Sequence, residues 1–422
     1  MAPTKTPVII DTDPGVDDIT AILLALASPE LEILAFIVSF GNTDIESSYL
    51  NILKTYQALT RHFAENPSDE ERFPNFFSSI KPILARGCDG PLEGDLHSAQ
   101  YFHGRDGLGG IAERHPDLNV VGIQQAGESH PQLNLSGQSG VDVALDLIRT
   151  RSSRSITYVA LGPLTTLARM MRLDAKLVRD RLGQVVCMGG ALDVPGNTSP
   201  VAEFNFFADP YAVKELLISS EHHTGLPLDR FIMLPLDITT PHELPFPSYK
   251  AKIDPSFDSS AAPSVADGKL PLTHFTSSFL ERTREIMLQF GKDAMELHDI
   301  VAVWCAIENP PGLSLSDGWK ARSRLFDIER AGELTRGMLV VDRREDESAY
   351  SPGANRAEIQ AELEKLAFHH GSWESTALPA QVEIERAASP TTRPVASGVV
   401  CITETPGPEV LLDLLFRRVW GV

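Results

Sequence analysis

The chain has 422 residues, 42% of them hydrophobic, and a formal net charge of -20 at pH 7. This length allows a large buried core, organised as one big α/β domain or as two domains. The strong negative charge argues against a binding surface for nucleic acid or for an anionic membrane. The sequence has no long uncharged apolar run, so we predict no transmembrane helix.

The start of the chain and its cysteines indicate a cytoplasmic location. Residues 1–7 lack the apolar core and the cleavage site of a signal peptide. The four cysteines are scattered, and none has the CxxC spacing of a zinc or redox motif. We therefore expect the reduced thiols of a cytosolic protein at Cys88, Cys187, Cys305 and Cys401.

Four aspartates crowd into eight residues near the amino terminus, at Asp11, Asp13, Asp17 and Asp18. An apolar run at 7–10 precedes them and apolar residues at helical spacing follow, which predicts a strand, a Pro-Gly turn and a helix. At about 4 Å and an effective dielectric constant of about 20, each like-charged pair costs roughly 4 kcal/mol. Helix dipoles attract acids to a first turn, but that accounts for only one or two of the four. The cluster therefore predicts a divalent cation that prefers hard oxygen ligands, Ca²⁺ or Mg²⁺.

The rest of the chain alternates apolar strand-like runs with helical patterns. Strands are predicted at 31–40, 81–86, 156–161, 184–188, 231–236, 337–341 and 399–402. Helices are predicted at 45–61, 141–151, 272–290, 357–368 and 409–420, and others begin near 163, 210 and 297. This alternation predicts an α/β fold with a mostly parallel central sheet and helices on both faces.

Polar residues recur after the predicted strands. Asn42 follows the second strand, His103 opens a glycine-rich loop that lacks the Gly-Lys-Ser/Thr of a Walker loop, and His298-Asp299 begins a late helix. The amides and carboxylate of Asn197, Glu203 and Asn205 suit sugar hydroxyls. Taken singly, each is equally typical of a turn or of a structural pair. Together they indicate a site, because ligands gather at the carboxyl ends of strands in open α/β sheets.

Taken in order, these motifs resemble the inosine-uridine preferring nucleoside hydrolase family. The resemblance rests on 11–18, 40–42, 103–104, 161–165, 188–190, 197–205 and 298–299. It implies an open, Rossmann-like fold in one domain spanning 1–422. The chain is longer than the family core, and surface insertions are expected near 62–79, 112–138, 219–230, 245–270 and 344–398.

The resemblance also implies roles for individual residues. A Ca²⁺ ion would be held by the side chains of Asp13, Asp18 and Asp299 and by the backbone carbonyl of Leu161. The ribose hydroxyls would be held by Asp17, Asn42, Asn197, Glu203, Asn205 and Asp299. The candidate catalytic residues are Asp13 as general base, His298 as the acid that protonates the leaving base, and Asn42. His103 would be a second histidine near the base, and Asp11 would be structural.

The activity implied is hydrolysis of the N-glycosidic bond of ribonucleosides to free base and ribose, by a homodimer or homotetramer. Such a reaction passes through an oxocarbenium-like sugar, and a metal-activated water with a nearby carboxylate suits it. One alternative is a non-catalytic Ca²⁺-binding or regulatory protein on the same fold. Another is a haloacid-dehalogenase-type phosphatase with Asp11 as nucleophile, although Pro14-Gly15 interrupts that motif.

Overall fold

A computed structural model describes residues 5–122, 129–218, 225–258, 263–342 and 398–422. Its strands, numbered in chain order, are β1 Thr6–Thr12, β2 Leu31–Val38, β3 Ile83–Arg86, β4 Asn134–Leu135, β5 Thr157–Ala160, β6 Gln184–Met188, β7 Phe231–Leu234, β8 Glu243–Pro245, β9 Ala294–Glu296, β10 Lys320–Arg324, β11 Asp327–Ile328, β12 Leu339–Val340 and β13 Val399–Glu404.

Nine of these strands form one sheet in the order β10-β13-β7-β6-β5-β1-β2-β3-β4. Every neighbouring pair is parallel except β10 with β13, which is antiparallel. The strand β1 lies inside the sheet, and its Asp11 is in register with Ile37 of β2 on one side and Ala160 of β5 on the other. Two small antiparallel pairs, β8 with β9 and β11 with β12, lie apart from this sheet.

Helices cover both faces of the sheet. They are α1 Val16–Leu26, α2 Ile45–Glu65, α3 Gln100–His103, α4 Ile111–Arg114, α5 Gly140–Thr150, α6 Thr165–Arg181, α7 Phe204–Ala208, α8 Pro210–Leu217, α9 Leu236–Thr239, α10 Phe246–Lys252, α11 Pro271–Gln289, α12 His298–Glu308 and α13 Pro408–Leu415. A π-helical turn, Phe416–Trp420, continues α13. None of the described helices is long and apolar enough to span a membrane.

The strand β1 contributes to a hydrophobic core on each side of the sheet because successive strand residues point to opposite faces. Val8 and Ile10 join the core that contains α1 and α12, whereas Ile9 joins the core beside α5 and α6. A strand buried on both faces is expected to contain a continuous apolar run, as β1 does at 7–10. The helix α1 is buried almost all round and packs against α12, so the two helices hold each other in place.

The predicted fold class is confirmed, with a mostly parallel central sheet and helices on both faces. The short α7, which the sequence patterns did not predict, precedes α8. The strand-like run at 337–341 contains only the two-residue β12. The possible helix at 357–368 and nearly all of 344–398 lie outside the described residues, as do 123–128 and 219–224.

Two segments that the sequence predicts to be surface insertions contain side chains that are buried in the core. In 62–79, helix α2 continues to Glu65, and Phe63, Phe73 and Phe76 are buried in an aromatic cluster with ring centroids 5.1–5.5 Å apart. The polar composition of this segment hid three aromatic side chains that belong to the core.

The second corrected segment, 245–270, contains the helix α10. Its Phe246, Tyr249 and Phe257 are fully buried, so this segment also contributes to the core. Whether any of the five segments is an insertion, and whether 1–422 is a single domain, stay predictions.

Candidate active site

The carboxyl ends of the central strands and the first turns of α1 and α12 meet at one edge of the sheet. Asp13 follows β1, Asn42 follows β2 and Leu161 follows β5. Asp17 and Asp18 lie in the first turn of α1, and Asp299 lies in the first turn of α12. The positive ends of both helix dipoles therefore point towards this group of carboxylates.

Asp18 is a buried carboxylate whose two oxygens are fixed by four donors. Its Oδ1 accepts hydrogen bonds from Oγ1 of Thr12 at 2.6 Å and from the backbone N–H of Asp13 at 3.2 Å. Its Oδ2 accepts from the backbone N–H of Gly15 at 3.0 Å and from Nδ2 of Asn42 at 2.8 Å. This network joins β1, α1 and the turn after β2, so it fixes the carboxylate before any ligand arrives.

Asp13 has one oxygen fixed and one free. Its Oδ2 accepts a hydrogen bond from the backbone N–H of Asn42 at 2.8 Å, whereas its buried Oδ1 has no partner among the described residues. Glycines lie against both oxygens: a Cβ added at Gly162 would lie 2.6 Å from Oδ1, and one at Gly41 would overlap Oδ2. A buried carboxylate oxygen without a partner is costly, which indicates that a ligand completes it.

Asp17, Asp18 and Asp299 each place one oxygen within 4.8 Å of the others, a spacing that suits a metal ion. Oδ1 of Asp17 is also buried, and no described residue provides a hydrogen-bond partner for it. Burial, and then the charge of Asp18, raise the pKa of Asp17 to about 7. The same two causes raise the pKa of Asp13 and of Asp299 well above the ordinary value. A cation would relieve this strain, so the residues present fit a metal site.

Asp11 has a different environment from the other aspartates. Both of its oxygens accept hydrogen bonds within the core, from Oγ of Ser39 at 2.8 Å and from Oη of Tyr158 at 2.7 Å. Burial raises its pKa to about 7. Because its oxygens are satisfied by the protein, Asp11 links β1 to its neighbours, in agreement with the expected structural part.

A cavity of about 480 Å³ opens above these carboxylates. Nine of the predicted site residues line it: Asp17, Asn42, His103, Leu161, Asn197, Glu203, Asn205, His298 and Asp299. The other two, Asp13 and Asp18, are not among the lining residues and are almost fully buried. The structure thus brings every predicted site residue into or next to one cavity.

Glu203 and Asn205 are held rigidly in the cavity wall. Glu203 caps α7: its Oε1 accepts from the backbone N–H of Asn205 at 2.7 Å, and its Oε2 from the N–H of Gly190 at 2.8 Å. Nδ2 of Asn205 donates to the carbonyl of Leu161 at 2.6 Å, and Oδ1 of Asn197 accepts from the N–H of Phe204 at 3.0 Å. These bonds leave lone pairs and an amide free to face the cavity.

The two histidines of the cavity differ in their partners. Nδ1 of His103 accepts a hydrogen bond from the backbone N–H of Val16 at 3.2 Å, and burial, followed by the charge of His298, lowers its pKa to about 3. His103 is therefore a neutral ring that receives an N–H from the first turn of α1. In His298, Nδ1 lies 2.8 Å from Oγ1 of Thr239, and Nε2 lies 3.1 Å from Oε2 of Glu296.

Glu296 is itself held as a carboxylate. Burial would raise its pKa, but the hydrogen bonds and charges of His298 and Lys292 outweigh burial and lower it to about 2. Nζ of Lys292 lies 2.6 Å from Oε1 of Glu296 and 2.6 Å from Oε1 of Glu243. The imidazole of His298 is thus oriented by an ionised acceptor on one side and a hydroxyl on the other.

Comparisons with known proteins agree with this site. The profile described as inosine-uridine preferring nucleoside hydrolase matches residues 8–370. The chain belongs to this family. Its members include an inosine-uridine preferring nucleoside hydrolase from Leishmania major, 30% identical over 339 residues, which are 80% of this chain and 88% of that one. The present chain is also 30% identical to a pyrimidine-specific ribonucleoside hydrolase from Shewanella oneidensis, over 80% of this chain and 86% of that one. Both relatives are hydrolases of N-glycosyl compounds.

A solved structure of a plant nucleoside hydrolase has the same fold as this family member. The TM-score is 0.63, the sequence identity is 20%, and the similarity covers 98% of each chain.

Sequence reasoning missed several residues of this nucleoside hydrolase cavity. They are the apolar and aromatic residues Tyr101, Phe102, Met287, Phe290 and Met295, and the charged residues Lys292 and Glu296. A signal for Glu296 was present, because it lies two positions before His298 at the end of a strand. Met287, Phe290 and Met295 carried no distinguishing signal, since helix α11 and the segment after it have an ordinary amphipathic pattern.

Proposed function

We propose that this protein is a Ca²⁺-dependent ribonucleoside hydrolase that cleaves the N-glycosidic bond to free base and ribose. The observation that carries the proposal is the buried Oδ1 of Asp13, which has no partner among the described residues, next to a cavity of nucleoside size. The names of the relatives from Leishmania major and Shewanella oneidensis, which act on nucleosides, support the same substrate class.

The donor set favours Ca²⁺, because every candidate ligand is a hard oxygen. Asp13, Asp18, Asp299 and the carbonyl of Leu161 are the proposed ligands. Asn205 already donates to that carbonyl at 2.6 Å, which leaves the second lone pair of the oxygen for the ion. When bound, Ca²⁺ supplies a water of lowered pKa in a fixed position.

Asp13 is the proposed general base. Its Oδ2 is held by the backbone of Asn42, so the free Oδ1 is the oxygen that takes the proton from the attacking water. Nδ2 of Asn42 also donates to Asp18 at 2.8 Å. Asn42 therefore holds the carboxylates of Asp13 and Asp18 in fixed positions relative to each other.

The ribose hydroxyls are proposed to bind Asp17, Asn42, Asn197, Glu203, Asn205 and Asp299. These amides and carboxylates are already fixed by the protein, so binding the neutral sugar costs little reorganisation. Glu203 keeps an unused lone pair on Oε1, since that oxygen accepts only the N–H of Asn205 among the described residues. The hydrogen bonds to these hydroxyls become stronger as positive charge develops on the sugar in the transition state.

His298 is the proposed acid for the leaving base. Glu296 and Thr239 orient its ring, and the ring lines the cavity in which the base of a nucleoside would lie. His103 is a poorer candidate, because its pKa of about 3 keeps the ring neutral near pH 7. We propose that His103 instead lies beside the base and fixes the start of α1.

The test is to incubate the protein with Ca²⁺ and inosine, adenosine, guanosine, uridine or cytidine separately, and to measure the ribose released. Wild-type protein should release ribose from at least one of them, and Asp13→Asn should lose nearly all activity. The matched control is Asp89→Asn, which removes an exposed carboxylate outside the cavity and should leave the rate unchanged.

Two outcomes would overturn the proposal. Ligand binding in calorimetry without ribose from any nucleoside would favour the non-catalytic Ca²⁺-binding alternative. Phosphate released from a panel of phosphomonoesters, again without ribose, would favour the phosphatase alternative. A cytoplasmic location, a homodimer or homotetramer, and a single catalytic domain remain further parts of the proposal, and size measurement in solution tests the assembly.

A further inference from the structure

A second cluster of metal-ligating side chains lies outside the cavity, between the segment after α4 and helix α11. His115 and Asp117 belong to the turn that follows α4, and His274 belongs to the first turns of α11. One donor atom from each lies within 4.8 Å of the donor atoms of the other two. None of the three lines the cavity, so the cluster is separate from the candidate active site.

The hydrogen bonds of this cluster leave one buried donor atom without a partner. Nε2 of His274 lies 2.9 Å from Oδ2 of Asp117, whereas its Nδ1 is buried and has no partner among the described residues. The side chain of His274 is only 6% exposed. Nε2 is therefore the ring nitrogen that faces the cluster, and Nδ1 lies on the other side of the imidazole.

The surroundings of His115 match those of a metal-bound histidine. Its Nε2 lies 2.7 Å from Oε1 of Glu281, and Oε2 of the same carboxylate accepts the backbone N–H of Ser264 at 3.0 Å. Histidines that bind metals usually give their second ring nitrogen to a carboxylate or carbonyl, which fixes the ring and increases its basicity. Glu281 is in the right place for this partner, and it leaves Nδ1 of His115 as the ligand atom.

We propose that His115, Asp117 and His274 form a structural site for Zn²⁺, with a solvent molecule as the fourth ligand. Two imidazoles and one carboxylate are a donor set typical of Zn²⁺ and unlike the all-oxygen set of the active site. Bonds of roughly 2.0–2.2 Å place tetrahedral donors about 3.3 Å apart, within the spread seen here. The side chain of Asp117 is 54% exposed, so the ion has a route from solvent.

A bound cation would link the segment that follows the His103 loop to α11, the helix that carries Met287 of the cavity. The site would therefore stabilise the cavity wall without taking part in the reaction.

The test uses full-length protein stripped with a chelator, then titrated with Zn²⁺, or with Co²⁺ as a spectroscopic probe, in the presence of excess Ca²⁺. Wild-type protein should bind one equivalent of Zn²⁺ and show the visible bands of tetrahedral Co²⁺. His274→Gln and the milder, exposed Asp117→Asn should weaken Zn²⁺ binding by about 100-fold or more, since loss of a ligand exceeds the roughly 10–100-fold effect of an outer partner.

Two further variants separate this site from the active site. Asp299→Asn removes a proposed Ca²⁺ ligand and should keep the Zn²⁺ equivalent, and His97→Gln, outside both clusters, should bind Zn²⁺ as wild type does. The proposal is overturned if wild-type protein binds no Zn²⁺, if Asp117→Asn binds it unchanged, or if Asp299→Asn abolishes it. In the first case the cluster is a metal-free ion-pair network between the turn and α11.

Discussion

The carboxylate of Asp13 lies between two glycines, and this close approach can be tested without altering any catalytic side chain. In Gly162→Ala, the new Cβ would lie 2.6 Å from Oδ1 of Asp13. The backbone at Gly162 is not left-handed, so this variant adds a clash and no conformational strain. Gly41→Ala combines a clash at Oδ2 with strain, because φ at Gly41 is +152°.

The size of the effect follows from the distance. Carbon and oxygen atoms in contact prefer about 3.5 Å, so Asp13 or the strand end must yield by about 1 Å. A misplacement of about 1 Å near the reacting groups can cost on the order of 100-fold in rate. Overpacking itself typically costs about 1–3 kcal/mol of stability. We therefore expect kcat/KM of Gly162→Ala to fall about 100-fold while the protein stays folded at 25 °C.

The assay measures kcat/KM for inosine and uridine, the concentration of Ca²⁺ for half-maximal rate, and Tm. Gly407→Ala is the matched control for strain: φ there is +121°, and no atom of the described residues lies within 4 Å of the added Cβ. It should lower Tm and leave kcat/KM unchanged, whereas Gly41→Ala should lose both stability and activity. A folded Gly162→Ala protein with kcat/KM within about twofold of wild type would refute the idea that activity requires the close approach of Gly162 to the carboxylate of Asp13.

Three further predictions concern stability. Oδ2 of Asp254 lies 2.7 Å from Nζ of Lys269, whose side chain is buried. Burial alone would raise the pKa of Asp254, but the hydrogen bonds from Lys269 and other donors lower it below its ordinary value. Asp254→Asn should therefore lower the free energy of unfolding by about 3–5 kcal/mol at pH 7. In urea unfolding, the difference between wild type and variant should shrink as the pH falls below about 4, because the carboxyl of the unfolded chain takes up a proton first. A constant difference from pH 3 to 7 would contradict the assignment. Trp304→Ala, which removes a fully buried side chain of α12, should lower the free energy of unfolding by about 3–5 kcal/mol. Leu334→Ala, at an 80% exposed position, should lower it by less than about 0.5 kcal/mol, and equal losses would show that α12 packs differently. Chelating Ca²⁺ should lower Tm, and restoring it to about 100 times Kd should add about 2.7 kcal/mol; a Tm that ignores Ca²⁺ would argue against the cation.

The acidic group at the start of the chain was predictable because its signal is local. An apolar strand, a Pro-Gly turn and a helical pattern place Asp13, Asp17 and Asp18 at a strand end, and the structure has them there. The family resemblance added Asp299, which no local pattern near residue 13 indicates. Its position follows only from the packing of α12 against α1.

The environment of His298 was not predictable, because its partners come together only through tertiary packing. Thr239 is 59 positions away in sequence, and Lys292 joins Glu296 to Glu243 across a separate pair of strands. The local signal for Glu296 is its position two residues before His298 at the end of a strand, and this does not indicate that its carboxylate orients the histidine. Segment 62–79 was misplaced for a related reason, since its average composition conceals the few side chains that pack inwards.

The packing of α1 against α12 joins residues that are synthesised far apart in time. The three acids of the first segment emerge early, but Asp299 follows almost three hundred residues later. At about 5–20 residues per second, translation needs roughly 15–60 s to supply that last helix. Early in synthesis, β1 can pair with β2 but not yet with β5. We expect the acids at the end of β1 to repel one another at that stage, because the sheet is incomplete. A nascent chain halted before α12 would lack Asp299, so we expect it to carry an incomplete site.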